Sequence, residues 1–283
     1  MPNAEAEAEA GMTMYSKTQS NTVQRYRARA KYDHHTIHSI INSSPILHVS
    51  FHTPSPDDPF PAILPMLGFM GLYDPRNPTE ENIDEGANLY LHGYVSSRLM
   101  RMGKKASEEG GSEGEEGLPM TVAASCLDGL VLALTPNNHS YNYRSAILQG
   151  YGQVVEDVDE KLWAMEKITN TVLTDRWENT RVPPTKTEMT TTQILRITPH
   201  TASAKIRRGP PHDDRHDLKN EEVKNRVWTG VVPVHTVYGT PIRGEECEIS
   251  EVPQYITNFI DAKNKENKQF AFDRAGDEDG DES

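Results

Sequence analysis

The chain has 283 residues, is 35% hydrophobic and carries a formal net charge of −13. That acidity argues against a nucleic-acid binder, which needs a basic face to neutralise phosphates. Two cysteines, Cys126 and Cys247, are too few for a disulfide framework or a zinc site. No apolar run reaches membrane-spanning length, and the N-terminus carries no basic-then-apolar leader, so a cytoplasmic protein without a membrane partner is expected.

The polar excess is concentrated. A Glu-Ala repeat occupies residues 1–11, an acidic Gly/Ser/Glu stretch residues 103–117, and a Lys/Asn/Asp-rich stretch the end of the chain. Such segments bury too little apolar surface to offset the entropy of ordering them. The expected organisation is a disordered tail (1–24), one folded domain (25–243) interrupted by a disordered insertion (103–117), and an acidic tail (244–283).

In chain order, residues 23–32 interleave four basic residues with Tyr26 and Tyr32. Asp33 is placed to cap a helix burying Ile37, Ile40 and Ile41. His34 and His38 share a face of that helix at ligand spacing, but no third ligand follows. Residues 46–51 alternate as a strand. Residues 60–72 form a second apolar run, in which Pro65, lacking an N–H, implies a bulge, an edge or backbone left open to a ligand. Leu89–His92 predicts a third strand.

Asp128-Gly129, flanked by apolar runs, gives the strongest short hairpin signal. Residues 141–156 predict a long strand bent at Gly150 and Gly152. Asp157 and Glu160 form a capping-box pair ahead of an amphipathic helix that includes Trp177 and ends near Arg181. Two further strands are expected at 191–199 and 202–207, and a last one at 228–236. Many short strands with few helices indicate a β-barrel carrying helices, not a parallel α/β sheet.

The stretch that carries chemistry is Leu89-Tyr90-Leu91-His92-Gly93-Tyr94-Val95-Ser96-Ser97-Arg98. A strand ends at a glycine, and a helix begins with Ser96 or Ser97 at its N-cap and Arg98 in its first turn. Free amides, a hydroxyl and a guanidinium then converge at one point, which suits a phosphate. Alone, this pattern occurs in many proteins that bind nothing. Glycine-rich nucleotide loops, a nucleophile elbow and zinc-protease motifs are absent. The cluster His212, Asp213, Asp214 and His216 reads as a charged loop, and no metal site is expected.

The ordered set Phe60–Met66, Leu89–Gly93 with Ser97-Arg98, Tyr143-Arg144-Ser145 with Gly150, and Trp228–Pro233 resembles the FMN-binding split-barrel superfamily related to pyridoxamine 5′-phosphate oxidase. The nitroimidazole-resistance-like, flavin-nucleotide-binding branch is the most similar. The resemblance implies a mainly β fold with flanking helices, a six-stranded antiparallel split β-barrel, assembled as a homodimer with FMN at the subunit interface. It further implies that Leu64, Pro65 and Met66 line the flavin ring and that Ser97 and Arg98 hold the phosphate. His92 would face the cofactor cleft as the candidate catalytic residue. Arg144 and Ser145 would reach that cleft from the neighbouring subunit, and Trp228 would pack near the flavin. Where the family often has lysine after the serine-arginine pair, this chain has Leu99.

The implied activity is an FMN-dependent oxidoreductase acting on a small-molecule substrate, with reduced nicotinamide as electron donor. The alternative is a split barrel that binds flavin or haem without turnover. In the haem case, His92 or the histidines opening the first helix would ligate iron.

Overall fold

The computed structural model describes residues 13–53, 59–78, 82–110 and 116–276. The Glu-Ala repeat, residues 111–115 of the acidic insertion and residues 277–283 lie outside the described residues. The strands are β1 Ala30–Lys31, β2 Leu47–Phe51, β3 Ala62–Met66, β4 Gly68–Gly71, β5 Asn88–Tyr94, β6 Leu118–Leu132, β7 Ser140–Val154, β8 Thr192–Arg207 and β9 Gly230–Pro233. The α-helices are α1 His34–Ser43, α2 Arg98–Glu109, α3 Val158–Val172, α4 Lys186–Thr191, α5 Glu221–Arg226 and α6 Gln254–Gly276.

The sheet is antiparallel at β2–β3, β2–β6, β4–β5, β5–β8 and β6–β9. Its order is β3-β2-β6-β7-β8-β5-β4, with β1 on β8 and β9 on β6. This corrects the expected six-stranded barrel: among the described residues the sheet has nine strands, and its hydrogen-bonded path does not close. The count rises because β1 and β9 are short additions and because the run at 60–72 divides at Leu67 into β3 and β4. Those halves stand at opposite ends of the path. Pro65, opposite His48, therefore lies on an edge strand, where a missing N–H costs no ladder bond.

The described residues form two compact units, one within 13–25, 30–125 and 145–204, the other within 26–29, 126–144 and 205–276. In the first unit, α1 begins where the Asp33 carboxylate accepts from the Thr36 amide at 2.7 Å, and it buries Ile37, Ile40 and Ile41. Strand β5 is buried on both faces. Leu89 and Leu91 pair with Ile197 and Leu195 of β8, while Tyr90 turns to a cluster with Phe69, Trp163, Ile168 and Ile194. Each fully buried leucine or isoleucine there contributes about 2 kcal/mol of transfer free energy.

Helix α3 starts at Asp157, which accepts from the Glu160 amide at 2.7 Å. The expected reciprocal bond from Glu160 is not made. Its carboxylate is instead buried, accepting from the Tyr90 hydroxyl at 2.8 Å and from Arg196 at 3.0 Å. Tertiary partners outcompete the local cap. The helix also ends at Val172, short of Arg181, and Trp177 falls in the turns that follow.

Residues 13–24, within the expected tail, are held in place. The Tyr15 amide donates to Tyr32 at 2.9 Å, and the buried Asn21 amide group donates to Ser16, Ala202 and Thr201. Helix α2 likewise continues to Glu109, into the segment expected to be disordered.

In the second unit, Asp128-Gly129 does not turn the chain, contrary to the expected hairpin. Both residues lie within β6, and the connection to β7 comes after Leu132, through a short 3₁₀ turn at Pro136–Asn138. Asp128 is buried and accepts two bonds from Arg144, at 2.9 and 3.0 Å. Gly129 pairs with Pro233, and a Cβ there would meet the Val231 side chain at 3.0 Å. The dipeptide serves a cross-strand ion pair and a close strand approach. The strands expected at 191–199 and 202–207 are likewise one, β8. Within the expected acidic tail, residues 254–276 form α6, whose Phe270 ring meets the guanidinium groups of Arg144 and Arg274 at 4.3 and 5.0 Å from its centroid.

Candidate functional site

Strand β5 leaves the core at His92. The chain turns through Tyr94–Ser97, where the Ser97 amide donates to the Tyr94 carbonyl at 2.8 Å, and α2 begins at Arg98. Ser97 is the N-cap, with extended backbone, and its hydroxyl accepts from the Met100 amide at 3.4 Å. This chooses Ser97 over Ser96. Gly93 packs against α2: a Cβ there would stand 2.7 Å from the Met100 methyl group, the movable end of that side chain. Leu99 and Met100 are both buried, so the residue at the family's frequent lysine position is part of the core.

The helix end is strongly positive. Its first amides lack intrahelical acceptors and the macrodipole adds partial positive charge. No acidic residue lies in the first turn, whereas Arg98 and Arg101 do, and neither forms a salt bridge among the described residues. The Arg98 guanidinium lies 5.9 Å from the Phe51 ring centroid. Phe51 in turn lines a cleft of about 420 Å³ together with His52, Pro61, Thr121, Tyr151 and His200. The Tyr151 and His200 rings meet edge to face at 5.8 Å. Apolar floor, aromatic wall, imidazoles and an adjacent cationic helix end form a site suited to a planar anionic ligand with a phosphate tail.

The predicted residues divide. Ser97 and Arg98 meet at the helix end beside the cleft. Leu64, Pro65 and Met66 lie on β3, paired with Val49, His48 and Leu47 of β2, the strand that supplies Phe51. Leu64 and Pro65 are exposed and Met66 half-buried. His92 pairs with Ile194 on β5. Its side chain keeps surface exposure, and partial desolvation lowers its pKa, so the ring is neutral at neutral pH.

Ser145 is half-buried in β7. Arg144 and Trp228 belong to the second unit. Arg144 is committed to Asp128, so its charge is already matched. Trp228 is 65% exposed, and its indole covers Gly230.

Sequence reading missed Phe51, His52, Tyr151 and His200. Phe51 ends a recognised strand and His52 follows it, and Tyr151 stands between the two recognised glycines. Only the β2–β6–β7–β8 order reveals that they converge. The histidines of α1 resolve differently. His38 Nδ1 donates to the Ile83 carbonyl, which leaves Nε2 to accept from the Tyr15 hydroxyl at 2.7 Å. Both nitrogens are occupied, so His38 is a neutral structural residue and not a ligand. Asp213 accepts from the Leu134 amide, while Asp214, His216 and Asp217 form a largely exposed group.

An open antiparallel sheet with flanking helices is the architecture of a split barrel. The family model described as pyridoxamine 5′-phosphate oxidase matches residues 33–206, more than half of the chain, and the protein belongs to that family. Comparison with curated proteins gives no match. Among solved structures, the flavocytochrome Anf3 from Azotobacter vinelandii is similar at 26% identity and a TM-score of 0.66, over 86% of this chain and 97% of that one. An FAD- and haem-binding protein from Mycobacterium smegmatis shares the fold at 23% identity and a TM-score of 0.63, over 82% and 97%. No helix among the described residues is long and apolar enough to cross a membrane.

Proposed function

We propose that the chain is a flavoprotein, an FMN-binding oxidoreductase acting on a small molecule. The observation that carries this reading is the first turn of α2, which holds Arg98 and Arg101 and no carboxylate and sets Arg98 beside Phe51 of the cleft. Two arginines oppose the dipole of their own helix, an arrangement that an anion relieves. Ser97, Arg98 and the first amides of α2 hold the phosphate. Leu64, Pro65 and Met66 offer the β3 edge to the ring, whose bound form supplies two-electron redox chemistry. His92, neutral at neutral pH, is available to accept a proton at an unoccupied ring nitrogen. Arg144 takes no phosphate role while Asp128 holds it.

The exposed apolar residues of the β3 edge, Phe60, Ile63 and Leu64, support a homodimer in which a second copy covers that edge. Reduced nicotinamide is the proposed donor. Haem is the second reading, favoured by the likeness to a flavocytochrome and by His52 and His200 at the cleft.

The visible spectrum of purified protein, before and after adding FMN, tests the proposal. Flavin bands, released as FMN on denaturation, are expected, and Arg98→Ala weakens FMN binding by about 2 kcal/mol, the scale of a charge-assisted contact. Protein that stays colourless and takes up no FMN refutes the flavin reading, while a Soret band transfers the site to haem. Oxidation of reduced nicotinamide with an added acceptor separates an enzyme from a carrier.

A further inference from the structure

A second cleft, of about 600 Å³, shares no lining residue with the first and, unlike it, is lined by carboxylates. Tyr73, Trp163 and Trp177 wall it, Pro183 adds apolar surface, and Asp159 and Glu166 of α3 supply the charge. Those carboxylates stand seven residues apart, two helical turns, and so share one face. The Tyr73 and Trp163 rings lie 5.3 Å apart.

The cleft presents acceptors and π faces but few donors. The Trp163 indole N–H is already given to the Pro78 carbonyl at 2.9 Å. Neither Asp159 nor Glu166 has an ion-pair or hydrogen-bond partner among the described residues. Nearby cations are spent elsewhere: Arg76 on Asp74, Lys161 on the Met189 carbonyl and Arg181 on Glu188. Tyr73 is pushed above the usual phenol range, first by desolvation and then by the carboxylates Asp157, Asp159 and Glu160.

We infer that this cleft binds a small organic cation, an alkylated ammonium with an apolar body. Ring faces attract such a cation through their quadrupoles. Asp159 and Glu166 supply net charge without demanding the geometry of a hydrogen-bond donor, and the volume lies within the range of small-molecule pockets. The class matches the lining: an anion meets two carboxylates, and a neutral ligand leaves them unmatched. Nothing in this assignment depends on flavin binding.

The test uses the full chain and the shape-matched pair choline and 3,3-dimethyl-1-butanol, which differ in charge. Titration is followed by calorimetry and by tryptophan fluorescence. Choline is expected to bind saturably and the neutral alcohol at least tenfold more weakly. The double variant Asp159→Asn/Glu166→Gln, which keeps shape and removes charge, is expected to lose choline affinity at least fivefold. Trp177→Leu is expected to weaken choline binding while leaving FMN uptake unchanged, and matching thermal melts establish that both variants fold. Absence of saturable choline binding, equal affinity for the alcohol, or unchanged affinity in the double variant overturns the assignment.

Discussion

Helices α2 and α3 both follow a strand of the first unit and both carry an oxygen-bearing N-cap, Ser97 and Asp157. Their first turns are opposites. Helix α3 places Asp159 and Glu160 at its positive end, the arrangement that satisfies a macrodipole from within. Helix α2 places Arg98 and Arg101 there, charges that never discharge at accessible pH. Helix α1 stands between them. Its first turn holds His34 and His35, and desolvation lowers the His34 pKa, which removes the positive charge that α2 retains. The end of α3 is satisfied by its own residues and needs no outside anion, whereas the end of α2 is left positive by its own residues.

The largest test breaks the satisfied end. Glu160→Ala removes the partner of both Tyr90 and Arg196, and we expect a stability loss of about 3 kcal/mol in chemical denaturation, as for other broken buried pairs. A loss under 1 kcal/mol makes Glu160 a solvated first-turn acid and erases its structural role.

The next test concerns α1. His38 is held neutral in the folded protein, with its pKa lowered from 6.5 to about 4, chiefly by burial. The unfolded chain takes up a proton at the ordinary value while the folded chain refuses it. Stability is therefore retained above that value and falls by about 1.4 kcal/mol per pH unit as pH drops toward 4. His38→Gln, which does not titrate, should flatten that part of the pH dependence of the urea midpoint. Equal slopes in the two proteins refute it.

The smallest test converts α2 into the likeness of α3. Arg101→Glu places an acid in the first turn and should raise ligand-free stability by about 0.5 kcal/mol while weakening FMN binding. A variant that gains stability and binds FMN unchanged separates the helix dipole from the proposed phosphate site.

Local signals were readable where local interactions decide. Asp33 and Asp157 cap the helices they were expected to cap, and of the two serines expected at α2 the cap is Ser97, because a cap involves residues three apart. Pro65 marks an edge because proline lacks a donor wherever it sits. The failures share one cause. Asp128-Gly129 satisfies every local rule for a turn, yet the distant Arg144 and Val231 draw it into a strand. Glu160 leaves its cap for Tyr90 and Arg196 in the same way. The junction around Ser97 and Arg98 was visible as a pattern. Its neighbour Phe51, and the convergence of His52 with His200, depend on strand order, which no spacing encodes.

The division of one apolar run at Leu67 also shapes how the protein can fold. Strand β3 pairs with the preceding β2, and β4 with the following β5, so two hairpins of short sequence separation meet at a single residue. The pairing of Tyr94 with Thr192 spans about a third of the chain. Loop-closure entropy favours the early formation of both hairpins and delays the β5–β8 ladder. Leu67 thus tethers two nascent hairpins before the sheet exists, and slow assembly should report on β8 arriving.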